Sequence, residues 1–280
     1  MTNGTVYTQM TNGFGNNIFQ YVAAMLLAEY HNKDVIARPP SKDYYAIPCL
    51  ENLGIRFSRQ SGDNELLYIN EQNYIQSFNI NHKQRDFLLS GYFEDYRYYF
   101  NSRERIKSWF PEVENKNETD LVVHMRTGDR LFMKNEFYNK PKASDYAKAI
   151  EQFNFDNLHI VTDMPKWDYV TAEELQNMKF HLVVADDRRV PINESVDYFN
   201  SFIDEFKKYN PVMKKRSVGE DFDFIRGFKN ILFEHGTLSW WAAFLSDASK
   251  VGVYGPWRPW KGTKNKNLSQ IPIEEWFQWQ

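Results

Sequence analysis

A single cysteine, Cys49, in 280 residues excludes an internal disulfide and leaves too few thiolates for a structural zinc site. That scarcity points to a reduced, cytoplasmic setting. Apolar runs are short as well: nowhere do roughly 18 such residues follow one another, as a membrane span requires. The opening MTNGTVYTQMTNG has neither the basic nor the apolar region of an export signal. An excess of one charge is also missing, since Lys+Arg 34 against Asp+Glu 37 leaves a net charge of -3. With no basic field to gather nucleic acid, an anionic ligand has to be met by a local cluster, which favours a small anion over a polymer. Internal repeats and low-complexity tracts are absent.

The composition itself is that of a packed protein: 42% hydrophobic and 25% charged, with length enough for two medium lobes. Aromatics reach 17%, a supply of flat faces that suits sugars or bases and is equally the material of a core. Thr5 to Met10 reads as a strand, Thr11 to Gly15 as a glycine turn, and Asn16 to His31 as a helix. In that helix Ile18, Tyr21, Val22, Met25, Leu26 and Tyr30 recur at helical spacing. A second strand, Lys33 to Arg38, is closed by Pro39-Pro40 and completes a strand, helix, strand unit. Residues 41 to 90 show no strong periodicity, and no elements are assigned there. Gly91 to Phe110 reads as a short strand followed by a helix, and the acidic, breaker-rich Pro111 to Asp120 as a linker.

Beyond the linker, strands are expected at Leu121 to Met125, Leu158 to Thr162, Phe180 to Ala185, Asn230 to Phe233 and Lys250 to Tyr254. Helices are expected near Ala143 to Phe153, Ala172 to Met178, Val196 to Tyr209 and Leu238 to Leu245. Such alternation predicts an α/β protein with parallel sheets covered on both faces, divided into lobes 1–112 and 113–255. Residues 256–280 form a tail expected to pack back on the first lobe.

Three turns suit an anion. In LVVHMRTGD, Arg126 follows a buried strand, where doubly wound sheets bind ligands, and its planar fork can clamp a diphosphate. A structural ion pair with Asp129 is the competing role. NGFGNN at Asn12 to Asn17 places backbone N–H groups at a helix start. It matches part of a dinucleotide fingerprint, but Ile18 replaces the third glycine and Asp34 precedes the second strand, which argues against a nicotinamide oxidoreductase. In EHGTLSWWAAFL, Thr237 and Ser239 open a helix, as phosphate contacts or simply as caps. Asp221-Phe222-Asp223 has a metal-binding D-x-D form, yet hard cations need several converging oxygens. Asp186-Asp187 follows an expected strand and could meet a base or ribose, or begin a surface turn.

Together and in order, these motifs resemble the alpha-1,2-fucosyltransferase family, with a more distant likeness to alpha-1,6- and protein O-fucosyltransferases. The matches are NGFGNNIFQY to G-G-x-G-N-Q-x-F-Q-Y, GYFEDYRYYF loosely to G-Y-x-Q-S-E-x-Y-F, HMRTGD to H-x-R-R-G-D, and HGTLSWWAAF to N-S-x-F-S-W-W-G-A-W. DYAKAI and HIVTDMPKW resemble the intervening helix and strand, and the likeness spans roughly residues 9 to 255. It implies a GT-B fold, two Rossmann-like lobes with the nucleotide sugar in the cleft, an acceptor-side first lobe, and inverting transfer of a sugar to a glycan or glycoconjugate acceptor without a metal ion.

Carried over by position, Arg126 binds the diphosphate while Phe14, Gly15 and Asn16 approach from the first lobe. Thr237, Leu238 and Ser239 bind phosphate, and His124, Asp129, Asp163 and Asp186 line the donor site. Glu94, Asp95, Asp129 and Asp163 are candidates for the base that takes the acceptor proton. Departures are specific: Thr127 stands for the second arginine, Glu94-Asp95 for Gln-Ser, and Gly236-Thr237 for Asn-Ser. They leave three readings beside GDP-fucose transfer or in place of it: a UDP-sugar donor such as UDP-xylose, another deoxyhexose, or a catalytically silent sugar-nucleotide or glycan-binding homologue.

Overall fold

The computed structural model describes residues 4–58, 65–80, 85–114, 116–134, 140–234, 236–254 and 276–279. The chain divides into two compact units, Met1–Glu112 and Val113–Gln280. Each is a parallel sheet flanked by helices, the layering expected of a GT-B lobe.

In the first unit, β1 (Thr5–Gln9), α1 (Phe14–His31) and β2 (Asp34–Arg38) form the expected opening unit. The region without periodicity supplies α2 (Ile47–Asn52), β3 (Leu66–Ile69), α3 (Tyr74–Ser77) and β4 (Asp86–Leu89). These strands have four residues each, too few for alternation to stand out. The sheet runs β2-β1-β4-β3, all parallel. Val6, Phe87 and Leu89 are fully buried, as are Val22, Ala23 and Leu27 of α1, and each buried side chain of leucine or phenylalanine size contributes roughly 2–3 kcal/mol.

The strand and helix expected in 91–110 are replaced by an irregular loop, short 3-10 turns at Tyr96–Tyr98 and Phe100–Ser102, and α4 (Arg103–Lys107). Side-chain bonds override extension here. Glu71 Oε1 accepts from the N–H groups of Tyr92 (2.6 Å) and Phe93 (3.2 Å), and Phe93 sits at φ 55, an unusual conformation for a bulky residue.

In the second unit, β5 (Asn117–Met125) begins inside the expected linker. Asp120 organises that start, accepting from Asn117, Asn157 and His159 at 2.8–3.1 Å. Then follow α5 (Ala143–Ile150), β6 (Leu158–Thr162), α6 (Ala172–Asn177), α7 (Ile192–Phe206), β7 (Val212–Met213), α8 (Val218–Arg226), β8 (Phe228–Phe233), α9 (Thr237–Leu245), β9 (Lys250–Tyr254) and β10 (Phe277–Trp279). The order is β10-β9-β8-β5-β6-β7, again all parallel. Leu121, Val123 and Met125 of β5 pack with Tyr146, Ile150, Phe202 and Phe206 of α5 and α7.

One expectation fails in this unit. Phe180–Val183 is a 3-10 turn, not a strand: Lys179 at φ 58 reverses the chain directly after α6, leaving Leu182 and Val183 exposed while Val184 is buried. An apolar run this short does not distinguish a strand from a packed turn. Of the expected tail, residues 276–279 are described. Phe277–Trp279 pairs with β9, and Trp279 packs on Tyr146 and Tyr254 at 4.5 and 4.7 Å. The rest of the tail, 256–275, lies outside the described residues.

Candidate functional site

Because the sheet is parallel, the C-terminal ends of β5, β6 and β8 share one edge, and the three turns leaving them are joined by hydrogen bonds. The backbone N–H of Arg126 donates to Glu234 Oε1 just beyond β8 (2.7 Å). Thr127 donates its N–H (2.8 Å) and its hydroxyl (2.7 Å) to Asp163 Oδ1 just beyond β6, and its hydroxyl also meets that of Thr162 at 2.5 Å. The residue at the resembling family's second arginine position is therefore a buried brace between two strand ends. Gly128 has a specific reason to be glycine. At φ 21, a Cβ there would lie 2.1 Å from Asp163 Oδ2, so any side chain would collide with the carboxylate.

The Arg126 side chain is about half exposed (46%) and lies 3.6 Å from Asp129 Oδ1. The ion pair considered from sequence exists, but a contact this long and open leaves the guanidinium accessible to a ligand. His124, one position before Met125, faces away from the α5 and α7 layer. Its Nδ1 is buried without a partner among the described residues, and a Cβ on Gly236 would approach its ring to 3.7 Å. Burial, helped by Arg126 and Arg130, holds its pKa down to about 3, so the ring is neutral at pH 7.

Helix α9 starts at Thr237 with Gly236 as its cap and no side-chain cap bond. Ser239 is buried and donates back to the Gly236 carbonyl at 3.2 Å, so neither hydroxyl is the N-cap. Thr237 and Leu238 are half-buried on the first turn. Trp240 and Trp241 are core, with Trp240 stacked on Phe244 at 4.9 Å.

Sequence reasoning missed three charged residues around this edge. Glu234, Arg130 and Lys140 line, with Arg126, Thr127, Tyr146 and Tyr198, a pocket whose enclosed space is about 10 Å³, room for one water-sized particle. Burial raises the Glu234 carboxyl to about 7, against the pull of Arg130 and of the Arg126 N–H. Burial lowers Lys140 to about 8, against Glu234 and Glu194, and its ammonium donates to the Leu131 carbonyl at 3.0 Å. An acid ending an apolar strand was the available signal for Glu234.

Three other acidic candidates are engaged in ion pairs. Asp186, with no strand before it, is 93% exposed and pairs with Arg189 at 3.0 Å. Asp221 and Asp223 lie on α8 and pair with different arginines, Arg216 at 3.8 Å and Arg226 at 2.9 Å.

In the first unit, Gly13 caps α1 at φ 109, a region natural to glycine, and Phe14 and Gly15 are buried behind it while Asn16 is half-buried. Buried Asn17 and Gln20 tie this turn together. Asn17 donates to the Thr11 carbonyl (2.8 Å), Gln20 accepts from the Thr11 N–H (3.1 Å) and donates to the Gly91 carbonyl (2.7 Å), and Tyr44 donates to Asn17 (2.9 Å). Asp95 is buried and held in a two-oxygen pair by Arg97, while Glu94 is half-buried.

No protein-family model and no curated protein matches the chain. Among solved structures it is similar to the bacterial iron-containing dodecameric glycosyltransferase TibC from enterotoxigenic E. coli H10407, with 9% identity and a TM-score of 0.42 over 89% of this chain and 57% of TibC. The chain thus spans little more than half the length of TibC. It is also similar to the alpha-1,6-fucosyltransferase NodZ soaked with GDP-fucose, with 11% identity and a TM-score of 0.39 over 86% of this chain and 92% of NodZ. NodZ from Bradyrhizobium without a named ligand gives 10% identity, a TM-score of 0.39 and 93% coverage of that chain.

The described residues contain no helix long and apolar enough to cross a membrane.

Proposed function

We propose that the chain is an inverting, metal-independent GT-B glycosyltransferase that moves a sugar from a nucleotide diphosphate donor to a glycan or glycoconjugate hydroxyl. The observation that carries this reading is the convergence of HMRTGD, TDMP and EHGTLS on one sheet edge, with the Arg126 fork accessible and its backbone pinned to Glu234. A departing nucleoside diphosphate needs its growing charge stabilised, and without a cation a fixed arginine beside a helix N-terminus supplies that.

In this reading Arg126 meets the diphosphate, and Thr237, Leu238 and Ser239 present the first turn of α9 to it. His124 and Asp129 shape the loop, Asp163 and Asp186 serve the nucleoside side, and Phe14, Gly15 and Asn16 belong to the acceptor-side unit. Glu94, Asp95, Asp129 and Asp163 are the candidate bases, and of these Asp95 is paired with Arg97. The resemblance favours GDP-fucose, and Thr127 in place of arginine makes UDP-xylose the competing donor.

The test is a panel of GDP-fucose, UDP-xylose and other nucleotide sugars with a broad acceptor set, scored by nucleotide release. Acceptor-dependent release from one donor is expected. Binding of GDP or UDP, seen as a rise in melting temperature, with no release from any donor would instead identify a silent homologue.

A further inference from the structure

At the corresponding edge of the first sheet, Arg38 ends β2 and pairs in register with Gln9, the last residue of β1. Its carbonyl accepts from the Met10 N–H at 2.9 Å, which ties it to the turn that leads into α1. The guanidinium lies over the ring of buried Tyr7, with Cζ 4.2 Å from the ring centroid. Stacking of this kind occupies the face of the guanidinium and leaves its in-plane N–H groups to seek acceptors. Arg38 Nε and Nη2 are nonetheless both buried and bonded to no acceptor among the described residues.

These two atoms form one edge of the fork, the edge that meets a carboxylate or phosphate through two parallel bonds. The same unit shows that edge in use: Arg97 directs its Nε and Nη2 at the two oxygens of Asp95, with Nε at 2.8 and 3.0 Å. A second polar group is in the same condition nearby. Thr11, one residue beyond Met10, has its N–H bonded to Gln20 and its carbonyl bonded by Asn17, while its Oγ1 is buried with no partner among the described residues. Both lie where ligands of parallel α/β sheets bind, beyond the C-terminal strand ends. Buried donors of this strength are seldom left unpaired in proteins, and a charged donor least of all.

We propose that this edge binds an oxyanion, with Arg38 Nε and Nη2 giving two parallel bonds to it and the Thr11 hydroxyl a third. Resting on the glycosyltransferase reading, the oxyanion is the acidic group of the acceptor, so the acceptor is a glycan bearing a carboxylate or phosphate. A neutral glycan leaves the donors of Arg38 and Thr11 unanswered. Asn17 and Gln20 are positioning residues for this site, since they fix both backbone groups of Thr11 and thereby aim its hydroxyl.

The experiment follows the arginine Nε–H resonances of the full chain by NMR while sodium glucuronate, inorganic phosphate, glucose or GDP is added. Arg38→Lys assigns the Arg38 signal by its loss. Glucuronate, phosphate or both are expected to move that signal saturably, and glucose is not; which of the two binds more tightly separates a carboxylate-bearing from a phosphate-bearing acceptor. Thr11→Val keeps the reporter and is expected to weaken the anion at least fivefold. A signal unmoved by both anions, one moved equally by glucose, or an affinity unchanged in Thr11→Val overturns the site. Displacement of glucuronate by GDP overturns the acceptor assignment, because the edge then serves the donor. None of these readouts needs turnover, so an inactive protein whose Arg38 still binds anions refutes the glycosyltransferase reading and spares the site. Efficient transfer to neutral glycans with a silent Arg38 refutes only the site.

Discussion

Around the first helix of the first unit, the turns at the sheet edge are tied by uncharged groups, the amides of Asn17 and Gln20 and the hydroxyl of Tyr44. At the same edge of the second unit they are tied by carboxylates, Glu234 to Arg126 and Asp163 to Thr127. Amide bonds hold a turn at any pH and add no field. Carboxylate bonds hold it too, but they place charge beside Arg126 and make the edge respond to protons. The ties of the first edge carry no charge, and those of the second do.

The largest effect should come from removing the charge itself. Arg126→Ala is expected to lower turnover by about 10²-fold or more, as for loss of a transition-state charge stabiliser, with the far-UV spectrum unchanged. Steady-state kinetics with the donor found in the panel measure it, and turnover like the parent's would remove Arg126 from the mechanism.

Next comes the proton response. Glu234 has its pKa raised by burial, to about 7, so ionising it opposes folding: its contribution is complete below the unfolded carboxylate value and is lost as pH rises through 7. Burial depresses His124 to about 3, so its contribution is complete above the unfolded histidine value and is lost as pH falls toward 3. The two oppose each other between roughly pH 4.5 and 6.5, the unfolded values of the two groups. Glu234→Gln keeps an acceptor for the Arg126 N–H and removes the proton term, worth on the order of 3 kcal/mol at most. Urea melts of the variant should lose stability steadily below pH 6.5 where the parent changes little; parallel pH profiles would show that Glu234 does not titrate in this range.

A smaller and pH-independent effect is expected at the uncharged ties of the first edge. Gln20→Leu leaves the Thr11 N–H and the Gly91 carbonyl without their partner, at a cost of about 2 kcal/mol. That loss should be equal at pH 5 and pH 8, and a loss confined to one of them would contradict an uncharged tie. Smallest of all, Asp186→Ala removes an exposed pair to Arg189 and should change stability by less than about 0.5 kcal/mol. If it also leaves nucleotide affinity untouched, as isothermal titration would show, Asp186 leaves the donor site and the charged edge ends at Asp163.

The same contrast explains what could be read from the sequence. The opening strand, helix and strand were legible because an 18-residue helix carries several turns of periodicity, glycine marks its start, and Pro39-Pro40 closes the strand after it. β5, β6, β9 and α9 were legible for similar reasons, and Arg126 stood out because it interrupts an apolar strand. β3 and β4 were too short to register. The run Phe180 to Ala185 misled because apolar content alone does not say which residues a neighbouring element will cover. Glu234 had no assigned role: its place at the end of an apolar strand hinted at burial, but its partner, the Arg126 N–H, lies 108 residues away. Thr127, read as a missing charge, is a brace whose partners Asp163 and Thr162 lie 36 and 35 residues away.

The pairing of β10 with β9 bears on how the chain is made. Ribosomes deliver residues in order, and the first sheet is complete once β4 has emerged, with its unit closed by Glu112. The second sheet gains its last strand, and Trp279 reaches Tyr146 and Tyr254, only when residue 279 is free of the exit tunnel. Tyr146, which lines the pocket beside Arg126, therefore gains this packing more than 130 residues after it is made. A stalled or shortened chain would display a finished first unit beside a second whose aromatic core lacks its closing tryptophan.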